Sequence, residues 1–230
     1  MNLSIHKEKN KKLIFFSLLI IVLSFFVSLL SLSLGVYEID IRKTFSILLF
    51  NSYESSVSNS IILDIRLPRI ILSFFVGVAL SISGAVMQGL FRNPLADPAI
   101  LGVSAGAALG AVIPISLAIH SIHVLIIPLF SFSGGLLASF CVYIIYIFMG
   151  KNSSSILLLA GIAIGTFLNS LITLAVYLSG NTFQMQAIFM MLIDGFESTR
   201  WDHVYSSVPF IFGAFLILII KSKDINPIMV

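Results

Sequence analysis

Five stretches of this chain contain no Asp, Glu, Lys or Arg: residues 13–37, 70–91, 98–150, 152–193 and 204–220. These runs are too long for buried helices of a water-soluble domain, and each is long enough to cross a bilayer, which takes about 20 apolar residues. In lipid, only helices or closed barrels satisfy every backbone N–H and C=O, and the runs lack the two-residue alternation of barrel strands. The expected fold class is therefore all-α and polytopic in the membrane. Composition agrees. With 10% charged and 58% hydrophobic residues, against about a quarter charged in soluble domains, the chain cannot cover a water-facing surface.

Spans are expected at roughly 13–35, 67–91, 99–118, 124–149, 154–178 and 204–221, in a single transmembrane domain covering 1–230. The run 98–150 must hold two helices, with the turn at Ile119–His123 and Pro128 just inside the second. The first run has the basic start of a signal peptide. Its apolar core is longer than a signal core, however, and no small-x-small cleavage site precedes Gly35, so a retained helix is expected. With the N-terminus inside, the inner side receives Lys7, Lys9, Lys11, Lys12, Arg92, Lys151, Lys221 and Lys223. The outer side receives Arg42, Lys43, Arg66, Arg69 and Arg200. Eight against five favours a cytoplasmic N-terminus.

Small residues recur at four-residue spacing: Gly77, Ser81, Ala85 and Gly89; Gly102, Gly106 and Gly110; Gly161 and Gly165, continued by Asn169 and Thr173. Such stripes let helix backbones approach closely in lipid. Asn169 and Thr173 have two readings, interhelical packing and the lining of an aqueous pathway, since polar residues inside spans mark pathways. Cys141 has no partner in the chain and is expected as a small hydrophobe. No metal site is expected. His120 and His123 have no third ligand nearby, and Met185, Met190 and Met191 come without a Met–His–Cys cluster. No cofactor is expected, and the net charge of +3 implies no nucleic-acid partner. The chain has no phosphate loop of the GxxxxGK[ST] type and no paired carboxylates within spans, so it is not read as an enzyme.

Three motifs then stand in order: Arg-Leu-Pro-Arg at 66–69, Ser-Gly-Ala-x-x-Gln at 83–88, and Asn-Pro-Leu-Ala-Asp-Pro at 93–98 followed by Leu-Gly-Val-Ser at 101–104. With Leu157–Gly161 and the stretch from Gly195 to Trp201, they closely resemble the membrane subunit of iron-siderophore, haem and cobalamin importers, the FecCD or BtuC-like permeases of ABC transporters. The resemblance runs from about Ile14 to the end. It implies a ten-helix permease fold of which this chain holds the first six helices, stopping before the coupling helices. It also implies a second permease subunit, as homo- or heterodimer, cytoplasmic ATPase subunits, an extracytoplasmic substrate-binding protein, and residence in the bacterial cytoplasmic membrane.

The same resemblance suggests roles for particular residues. Arg66 and Arg69, with Pro68 between them, would dock the binding protein; by their position alone they are equally interfacial arginines with snorkelling side chains. Ser154 and Ser155 match a hydroxyl loop at the inner mouth of the pathway, where the plain reading is an N-cap. Asn93–Pro98 is expected as a tight turn, and Trp201 as an interfacial anchor. The expected function is import of a ferric siderophore or haem. Cobalamin import and a non-functional truncated remnant are the alternatives. A secondary transporter or intramembrane enzyme is disfavoured because no carboxylate lies inside a span.

Overall fold

A computed structural model describes the backbone of residues 2–50, 56–94, 96–149, 154–193 and 195–229, and the side-chain surroundings of 11–49, 57–94, 96–149, 155–193 and 195–222. Every regular element among them is helical. They are α1 (Asn2–Ser33), α2 (Ile41–Phe50), α3 (Ser56–Ser60), a π-helical segment (Ile61–Arg66), α4 (Leu67–Phe91), a 3-10 turn (Pro98–Leu101), α5 (Val103–Ser116), α6 (Ile126–Phe148), α7 (Ser154–Leu178), α8 (Thr182–Ile193) and α9 (Trp201–Met229). Five of these stretches are long and apolar enough to cross a membrane: Lys11–Ser33, Val57–Phe91, Ile126–Phe148, Ser155–Leu178 and Trp201–Ser222.

The expected span at 99–118 differs. Asp97 is extended (φ −126°, ψ 136°), as a residue before proline should be, and its carboxylate accepts from the Ala99 N–H. Pro98 opens the 3-10 turn, and Gly102 at φ 72° resets the chain into α5, which has 14 residues. At 1.5 Å per residue α5 reaches about 21 Å, short of the roughly 30 Å hydrocarbon core. A charge-free run reports apolarity over its length but not breaks within it. The turn after α5 falls at 117–125, around the expected one, and Pro128 sits inside α6 as expected.

α2 lies between the first two expected spans. Asp40 caps it, with Oδ1 accepting from the Arg42 N–H at 2.9 Å. Thr44 and Ile47 are buried and Leu48 half-buried, at i, i+3 and i+4, the spacing of an amphipathic helix.

The helices form two compact units. The first comprises Met1–Ile71 with Thr199–Trp201. Its core is Leu32, Ile39, Ile47 and Ile62, against which Leu29, Leu48 and Leu67 pack. There the Ser33 hydroxyl donates to Thr44 Oγ1 at 3.2 Å.

The second unit comprises Leu72–Ser198 and Asp202–Val230. In it α5 and α6 meet through glycine. A Cβ on Gly106 would stand 2.5 Å from both the Gly134 carbonyl oxygen and the Ala138 Cβ, and one on Gly110 or Gly134 would collide with the facing backbone. Ser131 donates across the same contact to the Ala107 carbonyl at 3.0 Å. Gly161 lies against the backbone of Ile100 and Leu101. Val112, Ile115, Ile172 and Ile188 form the apolar cluster beside these contacts. Two of the predicted small-residue stripes are thus packing seams. The third is not one among the described residues, because Gly77 has nothing within 4 Å of an added Cβ and Ser81 and Ala85 are exposed. Cys141 is likewise exposed on α6 rather than packed.

Candidate functional site

Arg66 closes the π-helical segment, and Pro68 is buried in the first turn of α4. The guanidinium is half-buried and turned onto its own chain. Nη1 donates to the Leu32 carbonyl at 2.5 Å and Nη2 to the Tyr37 carbonyl at 2.5 Å. Leu32 belongs to the last turn of α1, whose carbonyls have no partner within the helix. A cation there is favoured by the helix dipole, by about 0.3–1 kcal/mol. Between the two carbonyls the backbone bends at Gly35 (φ 155°), where a Cβ would lie 2.6 Å from Nη2. Arg69, one turn further, is half-buried. In the same unit the Trp201 indole N–H donates to the Leu63 carbonyl of the π segment at 2.9 Å.

The sequence reading missed Leu32, Gly35 and Tyr37 as partners of Arg66. A backbone carbonyl carries no residue signature. The available signal was Gly35, which follows an apolar run and so marks a helix end.

A second feature lies on α7. Thr166, Asn169, Ser170 and Thr173 are all exposed. The hydroxyls donate back into the helix: Thr166 to the Ile162 carbonyl at 3.0 Å, Ser170 to that of Thr166 at 3.0 Å, and Thr173 to that of Asn169 at 3.1 Å. Such back-bonding satisfies a hydroxyl donor where no water is available. The stripe expected from the sequence therefore divides: Gly161 and Gly165 face residues 100–102, whereas Asn169 and Thr173 are exposed together. Ser154 begins α7 and Ser155 is exposed; the side chain of Ser154, with Asn152 and Ser153, lies outside the described residues.

A cavity of about 870 Å³ opens in the second unit, lined by residues of α5, α6, α8 and α9, among them Ile115, Phe132, Met190 and Phe210, with His120 and His203. The hydroxyls of Ser131, Ser139 and Ser206 donate to the carbonyls of Ala107, Gly135 and His203, so the wall is mostly apolar apart from the two histidines, Ser198 and Ser207. Met190 and Met191 contribute to that wall as packing groups. His123 accepts the Leu125 N–H on Nδ1 at 3.1 Å, which stabilises the turn before α6.

Residues 18–230 match the sequence model of the FecCD transport family. The chain is 39% identical over 165 residues to the cobalamin import system permease protein BtuC of Halobacterium salinarum, covering 72% of this chain and 44% of that protein. It is 33% identical over 225 residues to the iron-uptake system permease protein FeuC of Bacillus subtilis, covering 95% of this chain and 65% of that protein. A metal-chelate type ABC transporter solved in an inward-facing conformation superposes with a TM-score of 0.74 at 25% identity, over 94% of this chain and 64% of that one. The chain thus spans between about half and two thirds of the length of these relatives.

Proposed function

Because the chain belongs to the FecCD transport family, we propose that it is part of the permease subunit of an ABC importer that moves an iron complex, a ferric siderophore or haem, across the bacterial cytoplasmic membrane. The observation that carries this reading is the exposed face of α7. Thr166, Asn169, Ser170 and Thr173 make an uncharged polar stripe on a span that is otherwise apolar. A stripe whose hydroxyls are already satisfied offers weak contacts all along its length. That suits passage of a bulky cargo, whereas a site of tight coordination would hold it. Asn169 and Thr173 are accordingly read as pathway residues.

The match to FeuC over 95% of the chain supports iron. The higher identity to a cobalamin permease, 39%, keeps cobalamin as the second reading. The architecture is read as six crossings of a ten-helix subunit, with the 3-10 turn and α5 together making the third crossing and the N-terminus in the cytoplasm. The partners are a second permease subunit, cytoplasmic ATPase subunits and an extracytoplasmic binding protein. Arg66 and Arg69 are read as the docking point for that protein, and Ser154 and Ser155 as part of the inner gate.

Uptake in cells lacking this gene and its operon tests the reading. Loss of labelled ferric siderophore or haem uptake is expected. Loss of cobalamin uptake with iron uptake intact would overturn iron in favour of cobalamin, and no change in either would overturn both.

A further inference from the structure

We propose that Arg66 is a positioning residue: its guanidinium fork latches the elbow 33–37 closed beside the apolar cluster of the first unit. Three observations meet at this point. First, the fork spans two carbonyls five residues apart in the chain, those of Leu32 and Tyr37, each at 2.5 Å. Second, the elbow has little else to hold it. Leu34, Val36 and Tyr37 are exposed, Val36 completely at 111%, so none of them anchors the loop by packing. Among the described residues its other bonds are neutral: the Leu34 N–H to the Leu30 carbonyl at 2.9 Å, which only continues the helix, and the Ile39 N–H to the Ser33 carbonyl and the Ser33 hydroxyl to Thr44, both at 3.2 Å. A hydrogen bond from a charged donor is about twice as strong as such neutral bonds. Third, the backbone is shaped around the arginine. Gly35 holds φ 155°, and a Cβ there would stand 2.6 Å from Nη2 and 3.2 Å from Cζ.

Immediately beyond the elbow, Ile39 is 5% exposed and packs with Leu32, Ile47 and Ile62. Closing the elbow is therefore the same event as seating Ile39. A lysine cannot substitute. Its ammonium is a compact point charge on a flexible stem, without the planar fork that reaches two acceptors in fixed directions. The latch gives Arg66 a task distinct from attracting a carboxylate. Five N–H donors on a guanidinium leave it able to meet a partner as well, with the elbow already in place. The inference builds on the docking reading only for that last consequence. The test below needs neither partner nor cargo, so failure of the latch and failure of the importer reading are told apart.

The test is the reaction rate of a cysteine at residue 39 with a soluble maleimide, in the detergent-solubilised full chain carrying Cys141→Ser and Ile39→Cys. A second chain carrying Cys141→Ser and Val142→Cys reports on the other unit, where Val142 is 2% exposed. Slow labelling at both sites is expected with Arg66 and Gly35 present. Arg66→Ala, Arg66→Lys and Gly35→Ala should each speed labelling at 39 about tenfold or more and leave 142 slow. Arg66→Lys is the decisive variant, because it keeps the charge and removes the fork, whereas Gly35→Ala also strains the backbone at φ 155°. Unchanged labelling at 39 in Gly35→Ala, or an Arg66→Lys chain as protected as the parent, overturns the latch. If Arg66→Ala speeds labelling at both sites, it has unfolded the chain, and the other two variants decide. Both sites accelerating in all three variants would also overturn the latch, making Arg66 a determinant of the whole fold.

Discussion

At the scale of single residues, both motif arginines are half-buried, and Arg66 is turned onto its own chain. Their charge, spacing and position at a helix start were plain in the sequence. What Arg66 touches was not, because its acceptors are main-chain oxygens 34 and 29 residues away. For docking, loss of one arginine should be tolerated better than loss of both, since exposed ion pairs are each worth about 0–1 kcal/mol. In the assembled transporter, Arg66→Ala/Arg69→Ala should slow association of the purified binding protein and flatten its salt dependence, because steering by charge is screened by salt. A salt series with the reconstituted transporter checks this, and an unchanged slope would end the docking role. Trp201→Phe removes the indole N–H that donates to Leu63 and replaces the bicyclic ring by a smaller one. It should destabilise the first unit by about 1–3 kcal/mol, through the lost bond to a partly buried acceptor together with lost ring contact. Maleimide labelling of Ile39→Cys under increasing denaturant would show the earlier opening.

At the scale of elements, glycine positions predict opposite outcomes for the same substitution. Gly106→Val must drive α5 off α6, because even a Cβ would meet Gly134 and Ala138. Overpacking of this kind costs about 1–3 kcal/mol or more, and the thermal unfolding midpoint of the solubilised chain should fall. Gly77→Val has open space around it and should leave that midpoint alone. Equal shifts would mean that the α5–α6 seam is not a close contact. The long helices α1, α4, α6, α7 and α9 were legible because length and apolarity are additive along a sequence. The break at Gly102 was not, since a left-handed residue is set by a single φ within an unbroken apolar run. α2 lies outside the long charge-free runs, and its buried stripe is only Thr44, Ile47 and Leu48.

At the scale of the whole molecule, parity decides the topology. Five crossings put the two ends on opposite sides, and six put them on the same side. The 3-10 turn adds about 8 Å to the roughly 21 Å of α5, enough together to approach the bilayer core. Reporter fusions at the N-terminus and after residue 222 should therefore both be cytoplasmic, and a split result would remove α5 from the set of crossings. The purified chain should bind no fluorescent ATP analogue, as it contains no phosphate loop; saturable binding would contradict the assignment of hydrolysis to a partner. The first unit, finally, is not contiguous in the chain. It takes Thr199–Trp201 from far downstream, and the bond from Trp201 to Leu63 closes over 138 residues. At about 5–20 residues per second of synthesis, the Leu63 carbonyl waits on the order of 7–28 s on the ribosome before its indole donor exists. For that interval the Leu63 carbonyl is without its indole donor, and the π segment is held by the contacts of Ile62 in the apolar cluster. A nascent chain stalled before residue 199 should then be cut by protease near Leu63, and one stalled well past Trp201 should resist.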